Sequence, residues 1–148
     1  MVHLTEFAGL FAVAFLAATV FPAQSEILLA GMVLAEHDPA WALVAVASAG
    51  NVLGSIVNWG LGRFIARFER RRWFPVGREQ LAKAEGSYRR WGKWSLLLSW
   101  VPFIGDPLTV VAGVLREPLP AFIALVTTAK VGRYIVVAWL AGAWAQAD

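Results

Sequence analysis

The stretch Phe21-Pro22-Ala23-Gln24-Ser25-Glu26 interrupts the apolar segment 7–35 near its middle. Proline removes a backbone hydrogen-bond donor and clashes with the preceding turn, and a carboxylate within a membrane is costly. A second stretch, Val101-Pro102-Phe103-Ile104-Gly105-Asp106-Pro107, interrupts the apolar segment 94–115 in the same way. With breaks at Pro22, Pro102 and Pro107, the two stretches predict re-entrant hairpins whose irregular backbone is buried in protein or lines a wet cavity.

The composition of the 148-residue chain is that of an all-α integral membrane protein. Hydrophobic residues make up 59% of the chain and charged residues 16%, whereas a soluble domain carries about 25% charged residues. Two further apolar segments, 41–62 and 118–147, are long enough for helices that cross the hydrocarbon core, which takes about 20 residues. An ordinary soluble enzyme is therefore excluded.

Motifs for catalysis and for cofactors are absent from the sequence. The chain has no cysteine, which excludes disulfides, thiolate metal ligands and a cysteine nucleophile. It has no glycine-rich nucleotide loop, no metal-ligand cluster and no Ser/His/Asp set, and His3 and His37 lie at predicted membrane edges. We therefore expect no enzymatic activity, no cofactor and no bound metal.

The two interruptions match each other. Pro22-x-x-Ser25-Glu26 and Pro102-x-x-Gly105-Asp106 share the pattern Pro-x-x-small-acid at an offset of 80 residues, and Ala30-Gly31 and Ala112-Gly113 match at an offset of 82. Each predicted hairpin is followed by one apolar span. A short pattern can recur by chance, but the sequence favours one membrane domain of two inverted-repeat units, residues 1–62 and 94–148, joined by segment 63–93.

The segment 63–93 is basic: it holds ten Lys or Arg and three Asp or Glu, whereas the rest of the chain holds three and seven. This block indicates a cytoplasmic loop by the positive-inside rule, with an interfacial helix at anionic head groups, and not nucleic-acid binding. If the hairpins re-enter, both termini are outside and Arg116 is inside; if they span fully, these positions are reversed. Re-entry separates the charges better, because it leaves no Lys or Arg outside.

Four charged residues within the apolar segments are the strongest functional candidates. Glu26 and Asp106 are intramembrane carboxylates, which suit a substrate site or a group that binds and releases protons. The alternative is that each caps the second half-helix of its hairpin. Lys130 and Arg133 share one helix face at i and i+3 and are the natural counter-ions. This basic pair can bind a lipid phosphate, with Arg133 as the bidentate donor, or form structural ion pairs only.

A polar stripe follows helical spacing along the segment 41–62 and consists of Ser48, Asn51, Ser55, Asn58 and Gly62. Gly50-x-x-x-Gly54 in the same segment allows close backbone approach and is typical of helix–helix packing. Ser25, Asn51 and Asn58 are candidates for lining a polar cavity, and for the two asparagines helix packing is the alternative.

These residues resemble the DedA family, whose members are also called SNARE-associated or VTT-domain membrane proteins, and most closely its short bacterial YqaA-type branch. The resemblance covers nearly the whole chain. It implies a bacterial inner-membrane protein with two opposed re-entrant hairpins, lipid translocation that includes undecaprenyl phosphate recycling and phospholipid scrambling, and dependence on the proton motive force. The matching stretches are residues 22–26, Gly50-Asn51-Val52-Leu53-Gly54, Gly60-Leu61-Gly62-Arg63, residues 99–106 and Ala112-Gly113.

In this resemblance, Glu26 matches the acidic position of the first hairpin and Arg63 matches the end of the Gly-x-Gly-Arg motif. The second hairpin departs from the family, whose pattern has arginines flanking the proline turn, because segment 99–106 contains no arginine. Our hypothesis is that Lys130 and Arg133 supply the missing positive charge from the neighbouring helix.

The leading expectation is a proton-coupled translocase for phospholipid or polyprenyl phosphate, with membrane lipids and protons as its partners. Glu26 and Asp106 would form its site at facing hairpin tips. The alternatives are a transporter for a small solute or ion on the same architecture and a scaffold protein whose buried charges serve packing alone. Because four membrane elements are few to enclose a pathway, a homo-oligomer is a further expectation.

Overall fold

A computed structural model describes residues 2–19, 24–65, 83, 86, 88–101 and 104–147, and every regular element in these ranges is helical. The all-α class expected from the sequence is confirmed. The elements in chain order are α1 (Val2–Thr19), α2 (Gln24–Leu34), α3 (Ala40–Ile65), a 3₁₀ helix (Gly92–Trp100), α4 (Gly105–Val114) and α5 (Leu119–Ala147).

Two of the described helices are long and apolar enough to cross a membrane. They are Ala40–Phe64 within α3, with a mean hydropathy of 1.7, and Leu119–Ala147, which is α5, with a mean hydropathy of 1.6. Both coincide with segments expected to span. Trp41, Trp139 and Trp144 are exposed on these helices, as expected of a surface that faces lipid and its interface with water.

The helices α2 and α4 are too short to cross a membrane. They contain 11 and 10 residues, which at the helical rise is about 16 and 15 Å. The hydrocarbon core of a bilayer is about 30 Å thick. Each of these helices therefore has the length of half a crossing.

The two short helices end with the same reversal of the chain. Glu36 and Arg116 have left-handed backbone conformations, with φ of 54° and 60°. Glu36 N–H donates to the Val33 carbonyl at 3.2 Å, and Arg116 N–H donates to the Gly113 carbonyl at 3.1 Å. A left-handed residue after a helix satisfies carbonyls that the helix leaves unpaired. The two residues are 80 positions apart, which is also the offset of the Pro-x-x-small-acid motifs.

Each long helix begins behind a proline. The Pro39 carbonyl accepts the backbone N–H of Ala42 at 2.9 Å, and the Pro118 carbonyl accepts that of Phe122 at 3.0 Å. Proline is tolerated at a helix start, where its missing N–H would have no intrahelical partner. Both halves of the chain therefore share one order: short helix, left-handed residue, proline, long helix.

Glycines allow α3 to approach its neighbours closely. A Cβ on Gly54 would lie 2.6 Å from a carbonyl oxygen of α1, and a Cβ on Gly62 would collide with the Val110 carbonyl of α4. Gly113 of α4 faces the Trp59 backbone of α3 just as closely. Small residues at such positions are typical of membrane helix interfaces. Consequently α3 packs on α1 and α4, α5 packs on the 3₁₀ helix and α2, and the two long helices contact each other.

The described residues form two apolar clusters. One lies where α1 and α2 meet the start of α3 and the second half of α5, and the other lies where the 3₁₀ helix and α4 meet the start of α5 and the second half of α3. The first contains Leu10 and Ala14 from α1, Leu29 from α2, Leu43 and Ala47 from α3, and Tyr134 from α5. The second contains Tyr88, Leu96 from the 3₁₀ helix, Leu108, Val111 and Ala112 from α4, and Phe122 and Val126 from α5, with Ile56 and Trp59 of α3 packed against it.

Glu117 fixes the loop between α4 and α5. Its backbone carbonyl accepts the Trp59 Nε1 proton at 3.0 Å, and its carboxylate accepts a short hydrogen bond from the Tyr88 hydroxyl. Burial raises the pKa of Tyr88, and the hydrogen bond to Glu117 and its negative charge raise it further. Tyr88 belongs to the basic segment 63–93, much of which lies outside the described residues, so this contact ties the described end of that segment to the helices.

Candidate functional site

Lys130 is fully buried within α5, and its Nζ donates a hydrogen bond to Asp106 Oδ1 at 2.8 Å. Asp106 lies in the first turn of α4, where the helix dipole favours a carboxylate. The N-cap position of α4 is Ile104 and carries no side-chain cap. Asp106 is therefore not the capping residue, and its carboxylate instead compensates a buried ammonium.

Arg133 forms the second ion pair, with Glu26 in the first turn of α2. Its guanidinium also donates to the Trp100 carbonyl at the end of the 3₁₀ helix, at 3.2 Å. The two side chains are 12% and 16% exposed, so this pair is less deeply buried than Lys130. Arg133 therefore joins the first turn of α2 to the last residue of the 3₁₀ helix.

A chain of hydroxyl groups leads to Glu26. The Ser25 hydroxyl donates to Glu26 Oε2 at 3.2 Å and lies 2.8 Å from the Tyr134 hydroxyl. With the Ser25 proton directed at Glu26, the Tyr134 hydroxyl acts as the donor to Ser25. Ser25 and Tyr134 are both fully buried, so Glu26 is held by a cation on one side and by a neutral hydrogen-bonded chain on the other.

The cationic partners of the two carboxylates, and the tyrosine that reaches Glu26 through Ser25, come from one face of α5. Lys130, Arg133 and Tyr134 are spaced three and four residues apart, which places them side by side on a helix. The two acids and two bases sum to zero charge, as desolvated ions require. The charge pairing expected from the sequence is present, whereas Tyr134 was not expected; its spacing from Lys130 and Arg133 is the signal that could have identified it.

The two asparagines of the polar stripe hold helices together. Asn51 Nδ2 donates to the Ala14 carbonyl at 2.9 Å, and Asn58 Nδ2 donates to the Ala18 carbonyl at 2.6 Å, both in α1. Asn58 also donates to Thr109 of α4 at 3.2 Å. These contacts fit the packing alternative for both residues. Asn51 Oδ1 has no hydrogen-bond donor within the described ranges, so a polar role for that atom stays a prediction.

Arg63 makes its described contacts away from the two ion pairs. It stacks over the Trp59 ring at 5.3 Å and lines a cavity of about 370 Å³ together with Arg116. Arg116 was considered in the sequence only as a topology marker. Both arginines follow a glycine by three residues near a helix end, in Gly60-x-x-Arg63 and Gly113-x-x-Arg116, and this shared pattern could have paired them.

The prolines of the hairpins differ in position. Pro22 and Pro102 lie outside the described residues. Pro107 is the third residue of α4 and is buried. Proline is compatible with a first helical turn, so Pro107 does not interrupt α4, which continues to Val114.

A further polar cluster was missed by the sequence reasoning, which gave no role to His3 and expected no metal-ligand cluster. His3, Glu6 and Asp38 come together in the structure. The signal is weak in the sequence, because Asp38 is 35 residues from His3 and only the fold brings the two together.

Two long apolar helices, with ion pairs between one of them and the first turns of two short helices, indicate a helical membrane protein. The VTT domain model matches residues 21–142, and the chain belongs to this family, the DedA family. It is 40% identical over 130 residues to the inner membrane protein YqaA of Escherichia coli K12, which covers 88% of this chain and 87% of that protein.

An uncharacterized protein of Haemophilus influenzae is 31% identical over 138 residues, covering 88% of this chain and 84% of that protein. No solved structure matches the chain. The family and the membrane character inferred from the sequence are thus shown, and the lipid chemistry of the site is a matter for proposal.

Proposed function

We propose that this chain is a proton-coupled translocase, and not an enzyme, that moves lipids with a phosphate head group, either phospholipid or polyprenyl phosphate, across the bacterial inner membrane. The observation that carries the proposal is the pair of ion pairs, Glu26 with Arg133 and Asp106 with Lys130, on one face of α5. Intramembrane ions at the starts of half-helices are typical of transport sites.

The chemistry of coupling follows from charge balance. In the resting state each cation has a carboxylate partner and the four groups are neutral together. A lipid phosphate that binds Arg133 and Lys130 displaces Glu26 and Asp106, which would leave two desolvated negative charges. Protonation of the two carboxylates removes this cost. Phosphate binding and proton uptake therefore occur together in the proposal, and phosphate release returns the protons.

The Tyr134–Ser25–Glu26 chain suits this proton exchange. The two hydroxyl groups are hydrogen-bonded in series, and each can donate and accept a proton. Ser25 is thereby assigned to the proton path, while Arg133, with a planar guanidinium, is the bidentate phosphate donor.

The architecture that we propose is two inverted-repeat units, each a re-entrant hairpin followed by one transmembrane helix. Three observations support it. The chain reversals at Glu36 and Arg116 are alike, and α2 and α4 each have the length of half a crossing. In addition, each long helix packs on one helix of its own half and on the short helix of the other half: α3 packs on α1 and α4, and α5 packs on the 3₁₀ helix and α2.

This architecture gives a topology. We place the basic segment 63–93 in the cytoplasm by the positive-inside rule. The N-terminal end of α3 and the C-terminal end of α5 then both lie on the outer side of the membrane. Trp41 at the start of α3 and Trp144 near the end of α5, both exposed, then lie at the same outer interface. The cavity of Arg63 and Arg116 lies at the cytoplasmic end, where we assign it the first contact with a phosphate head group.

Lipids and protons are the proposed partners, with no cofactor and no nucleic acid. The described helices offer few walls for a closed pathway, so we place the lipid tail in the bilayer or between two copies of this chain. A solute transporter and a structural scaffold are the competing functions, and the pairing of Lys130 with Asp106 and of Arg133 with Glu26 is the observation that favours the scaffold.

The test is reconstitution into liposomes that contain fluorescent phospholipid or polyprenyl phosphate analogues, with and without a pH gradient. We expect the parent to move lipid and a gradient to change the parent rate. We expect Glu26→Gln and Asp106→Asn to lose about tenfold or more of the rate, because an amide cannot take up and release the coupled proton. Glu36→Gln, an exposed acid that has neither role, is the matched control.

Far-UV circular dichroism and gel filtration accompany each variant, so that lost transport is separated from lost folding. If no lipid moves while Glu26→Gln and Asp106→Asn simply unfold, the charges are structural and the scaffold function replaces ours. Movement of a small solute without movement of lipid would favour the solute transporter.

A further inference from the structure

Three metal-ligating side chains meet at the end of the molecule where α3 begins. His3 and Glu6 are one helical turn apart on α1, and Asp38 lies in the turn between α2 and α3. One donor atom of each lies within 4.8 Å of the others, and His3 Nδ1 is 2.9 Å from Asp38 Oδ1. Residues at i and i+3 share a helix face, so α1 presents both of its donors toward Asp38.

The charge of this cluster is not balanced by its own members. The Asp38 side chain is only 9% exposed, and its described contact is to the His3 imidazole. Two carboxylates face one imidazole in this cluster, and a carboxylate withdrawn from water needs a compensating positive charge. With Glu6 the cluster carries two negative charges, which one divalent cation would neutralise.

We propose that His3, Glu6 and Asp38 bind one divalent transition-metal ion, for which zinc is the best match. Zinc accepts imidazole and carboxylate ligands at about 2.0–2.2 Å, commonly with three protein ligands and one water. Ligands at that distance in a tetrahedron are roughly 3.3 Å apart, close to the observed 2.9 Å between His3 and Asp38. The exposed Glu6 and His3 side chains close the remaining gap by changing rotamer.

The imidazole selects among divalent ions. Calcium and magnesium prefer oxygen-only ligand sets, whereas an imidazole favours zinc and other transition metals. A cavity of about 420 Å³ adjoins the cluster and shares Glu6 and Asp38 with it. This cavity provides room for the water ligand and a path by which the ion enters.

Metal binding would join α1 to the turn before α3. The ion therefore stabilises the folded chain by an amount that rises with the logarithm of one plus its concentration divided by its dissociation constant. Since the ligands must be deprotonated, the affinity should fall on acidification. The site shares no residue with the ion pairs at α5, so the metal-binding proposal is tested independently of lipid transport.

The experiment is a titration of the purified, tag-free full chain in detergent with zinc chloride, by calorimetry in competition with a chromophoric chelator. We expect one ion per chain. His3→Gln, Asp38→Asn and Glu6→Gln should each weaken binding by at least about tenfold, since losing even an outer-shell partner costs that much. Glu36→Gln, which changes an exposed acid of the same turn outside the cluster and its cavity, is the matched control and should bind as the parent does.

Thermal unfolding by circular dichroism gives a second readout. Zinc should raise the Tm of the parent and of Glu36→Gln and should raise that of His3→Gln much less. The proposal is overturned if the parent shows no saturable zinc binding, if all three ligand variants bind like the parent, or if calcium binds equally well and His3→Gln has no effect. Because Glu6 and His3 are exposed, their variants keep the test valid even where Asp38→Asn fails to fold.

Discussion

Lys130 is a fully buried ammonium whose hydrogen bond goes to one carboxylate, Asp106. Removing one partner of such a pair leaves an uncompensated charge in a medium that solvates it poorly, whereas removing both leaves two neutral side chains. Removing either residue alone should therefore destabilise the protein more than removing both together.

We expect Asp106→Asn to lower the free energy of unfolding by about 3 kcal/mol, because Lys130 is left buried and unpaired. The double variant Asp106→Asn/Lys130→Met should recover most of that loss. Unfolding in mixed micelles, followed by far-UV circular dichroism, measures both values. Glu36→Gln, which changes an exposed acid outside both ion pairs, should change the free energy by less than about 0.5 kcal/mol.

Additive losses in the double variant would contradict this expectation, since contacting residues that act as a pair show a coupling energy. In that case the cost at Asp106 would arise from the start of α4 and not from the ion pair.

At the residue scale, the sequence predicts the pairing of acids with bases, because a charge in an apolar segment must find an opposite charge. It does not predict which acid pairs with which base. That choice depends on the rotation of α5 relative to α2 and α4, and α5 has no strong apolar face that would reveal its rotation in the sequence. For the same reason Tyr134 and the Trp100 carbonyl could not be assigned in advance.

The contact between α3 and α4 is the element-scale feature that positions Asp106. Gly62 of α3 faces the α4 backbone, and Gly113 of α4 faces the α3 backbone, each with no room for a Cβ. Asn58 and Thr109 form a hydrogen bond across the same interface. Since Thr109 also donates to the Asp106 carbonyl at 2.6 Å, the interface fixes the first turn of α4.

Gly113→Ala should separate the two helices and lower the free energy of unfolding by roughly 2 kcal/mol, as overpacking does. Gly132→Ala in α5 meets no atom within 4 Å and should be neutral or stabilising by up to about 1 kcal/mol, because alanine is the better helix former. Chemical unfolding of both variants against the parent measures the difference. Equal effects at the two positions would show that helix propensity, and not the interface, decides stability.

The elements themselves were predicted to different degrees. The two long helices follow from uninterrupted apolar segments, and their observed ends lie within a few residues of the expected ones. The 3₁₀ helix Gly92–Trp100 was not predicted, because its apolar residues are equally compatible with an α-helix, and hydropathy does not distinguish the two. The Gly-x-x-x-Gly pattern correctly indicated close packing but did not name α1 as the partner.

At the scale of the whole molecule, the two topologies differ in where the hairpin ends lie. Re-entry places Arg116 inside and both termini outside, whereas full spanning reverses these positions. The native chain has no cysteine, so one introduced cysteine is a unique label.

We expect Arg116→Cys and Lys93→Cys to react with a membrane-impermeant thiol reagent in inverted vesicles only, and Ala147→Cys to react in spheroplasts only. Lys93, at the end of the basic segment, is the internal reference for the cytoplasmic side. Labelling of Arg116→Cys from the outside, with Ala147→Cys labelled from the inside, would establish full spanning and remove the inverted repeat.

The packing partners of the long helices also determine which parts can move. Because α3 packs on α1 and α4 while α5 packs on the 3₁₀ helix and α2, the helices form two interleaved sets of three, which also contact each other through α3 and α5 and through α4 and the 3₁₀ helix. Glu26 and Arg133 lie in the same set, and so do Asn58 and Thr109. Asp106 and Lys130 lie in different sets, so relative displacement of the two sets would break this ion pair.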